Sequence, residues 1–231
     1  MKYFELIRKI RLKLFGSQVV YSQNGEDIIL LSIINKPNYK GFYIDIGANH
    51  PKKLNNTYLL NRLGWHGINI EPNPFNLQLF KKKRPKDINL NIGISSTESI
   101  LPFYLFKEDT LSTFDKEIAD KYELMGHKIK SVLNIDTKRL ENVLDFYVQD
   151  KHIDFMSIDT EGYDLEILKT NNWNKYRPSF ILLETLEYEK NKRGEKVNEE
   201  YDSFMKEIRY RKIAETYINT LYINEDYKLN D

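Results

Sequence analysis

Short apolar runs, each closed by an acid and separated by stretches with helical spacing, recur along this chain. They constrain its fold more than any other feature. GFYIDI (Gly41–Ile46) carries Asp45 near its end and leads into Gly47-Ala48-Asn49-His50-Pro51. GINIEP (Gly67–Pro72) ends in Glu71, HIDFMSID (His152–Asp159) in Asp159 with Glu161 and Gly162 beyond, and SFILLET (Ser179–Thr185) carries Glu184. Continuous runs of β-branched and aromatic residues suit strands covered on both faces. INLNIGIS (Ile88–Ser95) reads as a third strand and ILPFYLF as a fourth, in a hairpin. Leu54–Leu63, Asn76–Arg84, Thr137–Val148 and Tyr163–Thr170 read as helices. So does 17–35, with Ser22 as its cap and Glu26 and Asp27 in its early turns. A helix near 200–210 and a hairpin from Lys212 to Asn224, broken at Asn219-Thr220, close the chain. Strands alternating with helices mean βαβ units and an α/β fold with a mainly parallel sheet.

In such sheets ligands sit beyond the carboxyl ends of the strands, where strand order reverses. Here that edge gathers Asp45, Glu71, Asp159, Glu161 and Glu184. Gly47 lets something approach the backbone closely. Glu71 follows Asp45 by 26 residues and suits two ribose hydroxyls as an acceptor. That pair serves either a dinucleotide or S-adenosylmethionine. A dinucleotide needs G-x-G-x-x-G to cradle its pyrophosphate, and this loop has one glycine followed by Asn-His-Pro. An acidic edge also suits a sulfonium and an amine better than it suits phosphates. A nicotinamide enzyme therefore ranks low.

The chain has 231 residues, 41% of them hydrophobic and 13% aromatic, which suits one domain over 21–231. Basic and acidic residues nearly cancel, 35 against 34, so no overall field favours nucleic acid as a partner. The absence of cysteine excludes disulfides, Cys-ligated zinc and thiolate catalysis, and fits the cytoplasm. No run of 18 apolar residues exists to span a membrane. Residues 1–20 read as a basic amphipathic helix: Tyr3, Ile7, Ile10 and Leu14 share a face, among Lys2, Arg8, Lys9, Arg11 and Lys13. It packs on the domain or on a partner subunit. The other reading is that residues 1–15 dock weakly on an anionic membrane surface, placing the protein at the inner face of the membrane.

In order and spacing, these motifs resemble the FkbM-type S-adenosylmethionine-dependent methyltransferases. They are SQNGED (Ser22–Asp27), GFYIDIGANHP, NNTYLLNRLGWHGINIEPNP (Asn55–Pro74), NIGIS (Asn91–Ser95), LSTF (Leu111–Phe114) and MSIDTEGYDLEIL (Met156–Leu168). The resemblance implies a Rossmann-like methyltransferase fold: seven strands, helices on both faces, and a C-terminal antiparallel hairpin. It implies methyl transfer, usually to oxygen. Asp45, Gly47, Ala48 and Asn49 match the loop holding the cofactor's methionine end. Glu71 matches the ribose acid, Pro72 and Asn73 the adenine side, and Ile92, Gly93 and Ile94 the strand end flanking the adenine. Asp159, Glu161 and Gly162 match the family's Asp-x-Glu-Gly motif at the methyl-transfer site.

Transfer to a hydroxyl needs in-line positioning and a base. Asp159, Glu161 and His50 are the candidates, the two acids being favoured because they follow the strand that faces the methyl. Asp159 and Glu184 end adjacent strands, a placement that resembles the magnesium site of catechol-type methyltransferases. A divalent metal is not favoured, since no third oxygen ligand can be named. The charged segment 107–131 is expected to cover the acceptor site. Trp65 and Trp173 read as core or lid residues. His127 and Lys128 are positioned to meet an anionic acceptor.

The function expected is O-methylation of a sugar hydroxyl, on a surface polysaccharide or its nucleotide-linked precursor. The alternatives are a lipid-linked or natural-product hydroxyl, and a non-catalytic scaffold. A homo-oligomer stays open.

Overall fold

A computed structural model describes residues 6, 7, 9, 18–36, 38–185 and 199–228. Most of the amphipathic segment read over 1–20 lies outside the described residues; Leu6, Ile7 and Lys9 are helical. No helix among the described residues is long and apolar enough to cross a membrane.

The main sheet has the seven strands that the resemblance implies, in the order β3-β2-β1-β7-β8-β10-β9. Its strands are β1 Phe42–Ile46, β2 His66–Ile70, β3 Ile88–Leu90, β7 Phe155–Ile158, β8 Phe180–Glu184, β9 Tyr210–Glu215 and β10 Asn219–Asn224. The first five pair in parallel, whereas β10 runs antiparallel to both β8 and β9. From β1 the chain passes to β2 and β3 on one side. It then crosses over to β7 and β8 on the other, so strand order reverses between β1 and β7. Ligands of open α/β sheets bind at such a point.

Period-two alternation gives each strand two buried faces. Ile44, Ile46, Met156, Ile158, Ile181 and Leu183 join the larger core, with α5 (Leu140–Tyr147), α6 (Asp164–Lys169) and α7 (Glu199–Glu207) against it. Tyr43, Phe155, Phe180 and Leu182 face the other way, toward α1 (Glu26–Ile34) and α2 (Tyr58–Arg62). Helices therefore lie on both faces. The alternation also fixes which face the polar residues share. Asp45 stands level with Ser157 on one side and Asn69 on the other and shares the Tyr43 face.

Several boundaries differ from the sequence reading. The helix read over 17–35 begins only at Glu26, because Gly25 takes φ 95° and interrupts it. Ser22 instead exchanges hydrogen bonds with Asp27. The helix read over 54–63 shrinks to α2, since the side chains of Asn55 and Thr57 are bonded to Asp45. α3 (Pro74–Lys83) starts earlier than read, with Pro74 in its first turn and Asn73 accepting from the Phe75 N–H.

INLNIGIS is two strands, β3 and β4 (Gly93–Ile94), parted where Asn91 donates to the carbonyls of Glu71 and Pro72. β4 belongs to a second sheet of order β4-β6-β5, built on the hairpin of β5 (Ile100–Phe106) and β6 (Ile129–Lys138). The sequence reading missed β6. The final hairpin turns at Thr216–Ile218, and Asn219-Thr220 open β10. Glu26 holds that turn, accepting from Thr216 Oγ1 and Asn219 Nδ2 at 2.8 Å each.

Candidate active site

At the reversal point lies a cleft of about 890 Å³, its open mouth included. Asp45, Gly47, Ala48, Asn49, Glu71, Pro72, Ile92, Gly93 and Ile94, all read as cofactor residues, line this one cleft. Asp159 and Glu161 line it too, as do Asp109, Thr110, Ser112 and Phe114 of the expected cover. No lysine, arginine or histidine is among its lining residues.

Asp45 is buried on the β1 side with its counter-charge close by. Thr57 Oγ1 (2.6 Å) and Asn55 Nδ2 (3.0 Å) donate to its Oδ2, and the guanidinium of Arg84 stands 3.9 Å from the same oxygen. Arg84 also donates to Thr57 Oγ1, Asn69 Oδ1 and Asn55 Oδ1 at 2.8–2.9 Å. Burial raises the pKa of Asp45 and Arg84 pulls it back. Both hydrogen bonds and the ion pair address Oδ2, which leaves Oδ1 for a ligand.

Glu71 is also buried. Its Oε2 accepts from the Asn49 N–H at 2.6 Å and its Oε1 from the Asn73 N–H at 2.7 Å. Burial pushes its pKa up to about 8, against those two donors. A carboxylate has about four acceptor positions, so lone pairs remain for two hydroxyls.

The residue that crowds Gly47 is not a ligand. Gly47 takes φ 73°, and a Cβ there would stand 1.9 Å from the carbonyl oxygen of Asp159. The tight approach read from the sequence is thus made by the chain itself. Gly47 and Ala48 donate to the Ile70 carbonyl, and the Asp159 N–H donates to the Ile46 carbonyl. The ends of three neighbouring strands are pinned together.

The β7–β8 end is built differently. Asp159, Glu161 and Glu184 each offer one oxygen within 4.8 Å of the others. Glu161 takes φ 52° and Gly162 φ 98°, a turn that aims Glu161 back into the cleft. Tyr122, from α4 (Lys116–Leu124), donates to Glu161 Oε2 at 3.1 Å. Asp164 caps the turn through the N–H and hydroxyl of Thr160. Desolvation comes first in raising all four pKa values, and mutual repulsion adds to it for Glu161, Glu184 and Asp164. Asp164 reaches about 7. Burial, with Asp159, Glu161 and Asp164 close by, pushes Glu184 well above the usual carboxylate range. Among the described residues no lysine, arginine or histidine pairs with any of the four.

Glu161 is therefore the third oxygen that the sequence could not name beside Asp159 and Glu184. The set has the hard oxygen chemistry that suits magnesium or calcium. His50, the other candidate base, does not line the cleft. Its Nδ1 accepts from the Lys52 and Lys53 N–H groups at 3.0 and 2.9 Å, so the ring serves its own turn. Burial holds its pKa below the usual imidazole value.

The segment 107–131 does pack over the rim. Phe114 lies where a Cβ on Gly93 would go, and Ile118 where one on Gly162 would go. His127 faces Glu108 at 3.7 Å instead of the cleft. Trp65 is core, and Trp173 packs beside the larger core. Arg84 was missed: in sequence it reads as the basic end of a helix stopped by Pro85.

A protein-family model described as the Methyltransferase FkbM domain matches residues 45–212. The chain belongs to that family. The match opens on Asp45 and closes in β9, so it takes in every carboxylate of the cleft. A solved FkbM methyltransferase from Methylobacillus flagellatus KT is similar at 16% identity and a TM-score of 0.48, over 80% of this chain. The chain spans only 43% of that FkbM structure's length. A search of curated proteins returned no match.

Proposed function

We propose that the chain is an S-adenosylmethionine-dependent O-methyltransferase acting on a sugar hydroxyl. One observation carries this reading: a single cleft gathers the loop after β1, the acid after β2 and the acid pair after β7. The first two suit the cofactor's methionine end and ribose. The third stands where an acceptor hydroxyl would meet the methyl group. Bound there, the cofactor supplies an activated methyl on a sulfonium leaving group. The chain holds the acceptor in line and takes its proton.

Glu161 and Asp159 are the proposed bases, Glu161 with its carboxylate steadied by Tyr122. Among the described residues five acids and no cation line the cleft, which favours an uncharged glycan over a nucleotide-linked precursor, whose diphosphate would face carboxylates. A lipid-linked or natural-product hydroxyl remains the alternative acceptor. The cytoplasm, at or near the inner face of the membrane, is the proposed location.

Calorimetric titration with S-adenosylhomocysteine tests the cofactor half. Micromolar binding by the wild type is expected, and loss of it in Glu71→Ala. A wild type that binds nothing sinks the reading in favour of a scaffold. For the chemistry, turnover is expected to survive exhaustive chelation, because the raised pKa of Glu184 keeps its carboxyl neutral and so relieves the repulsion among the three acids. Loss of turnover on chelation, restored by magnesium, would make the three carboxylates metal ligands.

A further inference from the structure

From Pro72 to Lys86 the chain holds no acid, and it carries Lys81, Lys82, Lys83, Arg84 and Lys86. Arg84 is buried, whereas the four lysines are exposed. Among the described residues no acid pairs with any of the four. The helical period sorts the side chains of α3. Asn76, Leu77 and Phe80 are turned inward and buried. Phe75, Leu79, Lys82 and Lys83 share the outer face, in a stripe roughly 100° wide. Phe75 is 57% exposed and Leu79 38%.

A second element borders this stripe. Lys130 of β6 lies over the Phe75 ring, 5.1 Å from its centroid. Val132, two residues on along the same face of β6, is 52% exposed. The acid of that face, Asp136, stands at the far end of β6 and is met by Lys138 at 3.8 Å. Apolar side chains and uncompensated lysines thus share one surface, contributed by a helix and a strand.

Three occupants could cover it, and charge separates them. A two-fold contact with a second copy sets the same patch against itself, lysine against lysine. A soluble polyanion uses the lysines and leaves Phe75 and Leu79 in water. An anionic bilayer uses both, since a helix lying in the headgroup layer presents phenylalanine and leucine to the acyl boundary and lysines to the phosphates. We propose that the outer face of α3, with Lys130 and Val132 of β6, docks on an anionic membrane surface. Asn73, the cap of α3, lines the cleft, so docking sets one wall of the cleft beside the bilayer. The proposal does not rest on the cofactor reading.

The experiment sediments the full chain with vesicles of phosphatidylcholine, alone or mixed with phosphatidylglycerol. The wild type is expected to bind the anionic vesicles, to ignore the neutral ones and to be released by raised salt. Two double variants are compared with it, each checked for unchanged melting: Lys82→Glu with Lys83→Glu, and Phe75→Ser with Leu79→Ser. Each is expected to weaken binding about tenfold or more. A wild type that stays in the supernatant with anionic vesicles overturns the proposal. So does undiminished binding by both variants, which moves the contact to another part of the chain. Loss in the lysine variant alone overturns it in favour of a soluble polyanion. A dimer of the wild type in sedimentation velocity that Phe75→Ser with Leu79→Ser dissociates overturns it in favour of a second copy.

Discussion

The β1 side of the cleft meets its buried Asp45 with one guanidinium, one amide and one hydroxyl. The β7–β8 side meets Asp159, Glu161, Asp164 and Glu184 with hydroxyls, one backbone N–H and each other. The same chemical group is buried on both sides, yet among the described residues only one side has an opposite charge beside it. A charge buried without a partner takes up a proton or waits for a ligand. The β1 side therefore works as fixed architecture, and the β7–β8 side as the one left to bind a proton or a ligand.

The largest effect should come from neutralising the acids that are not settled. At saturating cofactor, Asp159→Asn and Glu161→Gln are each expected to lower methyl transfer, by about 10²- to 10⁴-fold for the one that is the base. Wild-type turnover in both would make that side structural as well and remove the contrast. Next in size is Arg84→Met. Removing the cation leaves Asp45 buried and uncompensated, and denaturant unfolding should report a loss of about 3–5 kcal/mol. A loss of under about 1 kcal/mol would mean that the neutral donors suffice.

The pH dependence sharpens the contrast further. The acids beside Asp159 have folded pKa values above their unfolded ones, Asp164 at about 7. Between the unfolded carboxylate range and these values the folded state binds more protons than the unfolded chain. The unfolding free energy then falls as pH rises. Without cofactor, the melting temperature should be highest near pH 5 and decline through about pH 8, and Glu184→Gln should flatten the decline. A melting temperature that rises over that window would contradict the raised values.

The smallest effect is expected from Tyr122→Phe. The phenol lowers the pKa of Glu161, so its loss should move the acidic limb of the rate profile to higher pH and leave the plateau unchanged. A lower plateau with an unmoved limb would make Tyr122 a packing residue.

The sequence made the β1 and β2 strand ends legible because strand, acid and glycine are adjacent in it. Asp45 and Glu71 needed only a period of two and a parallel sheet to be brought to one edge. β6 stayed hidden because one face of it is solvated. Its alternation of Ile129, Leu133 and Ile135 with exposed polar residues is interrupted by Ser131, and it follows a charged stretch. Arg84 was illegible for another reason: a basic residue before Pro85 looks like an ordinary helix end. Only the fold, through its hydrogen bonds to Asn55, Thr57 and Asn69, brings it beside Asp45. His50 looked reactive because of its position in the loop, and hydrogen bonds two and three residues away account for it.

Gly47 has a consequence for anyone who would reshape this protein. With 1.9 Å between an added methyl and the Asp159 carbonyl, the loops after β1 and β7 interlock like two teeth. A displacement of the donor's cradle must then carry the proposed base with it, so the distance between methyl and proton acceptor is conserved by construction. Widening the cleft to admit larger acceptors has to begin at its outer wall, around Asp109 to Phe114, and leave that joint alone.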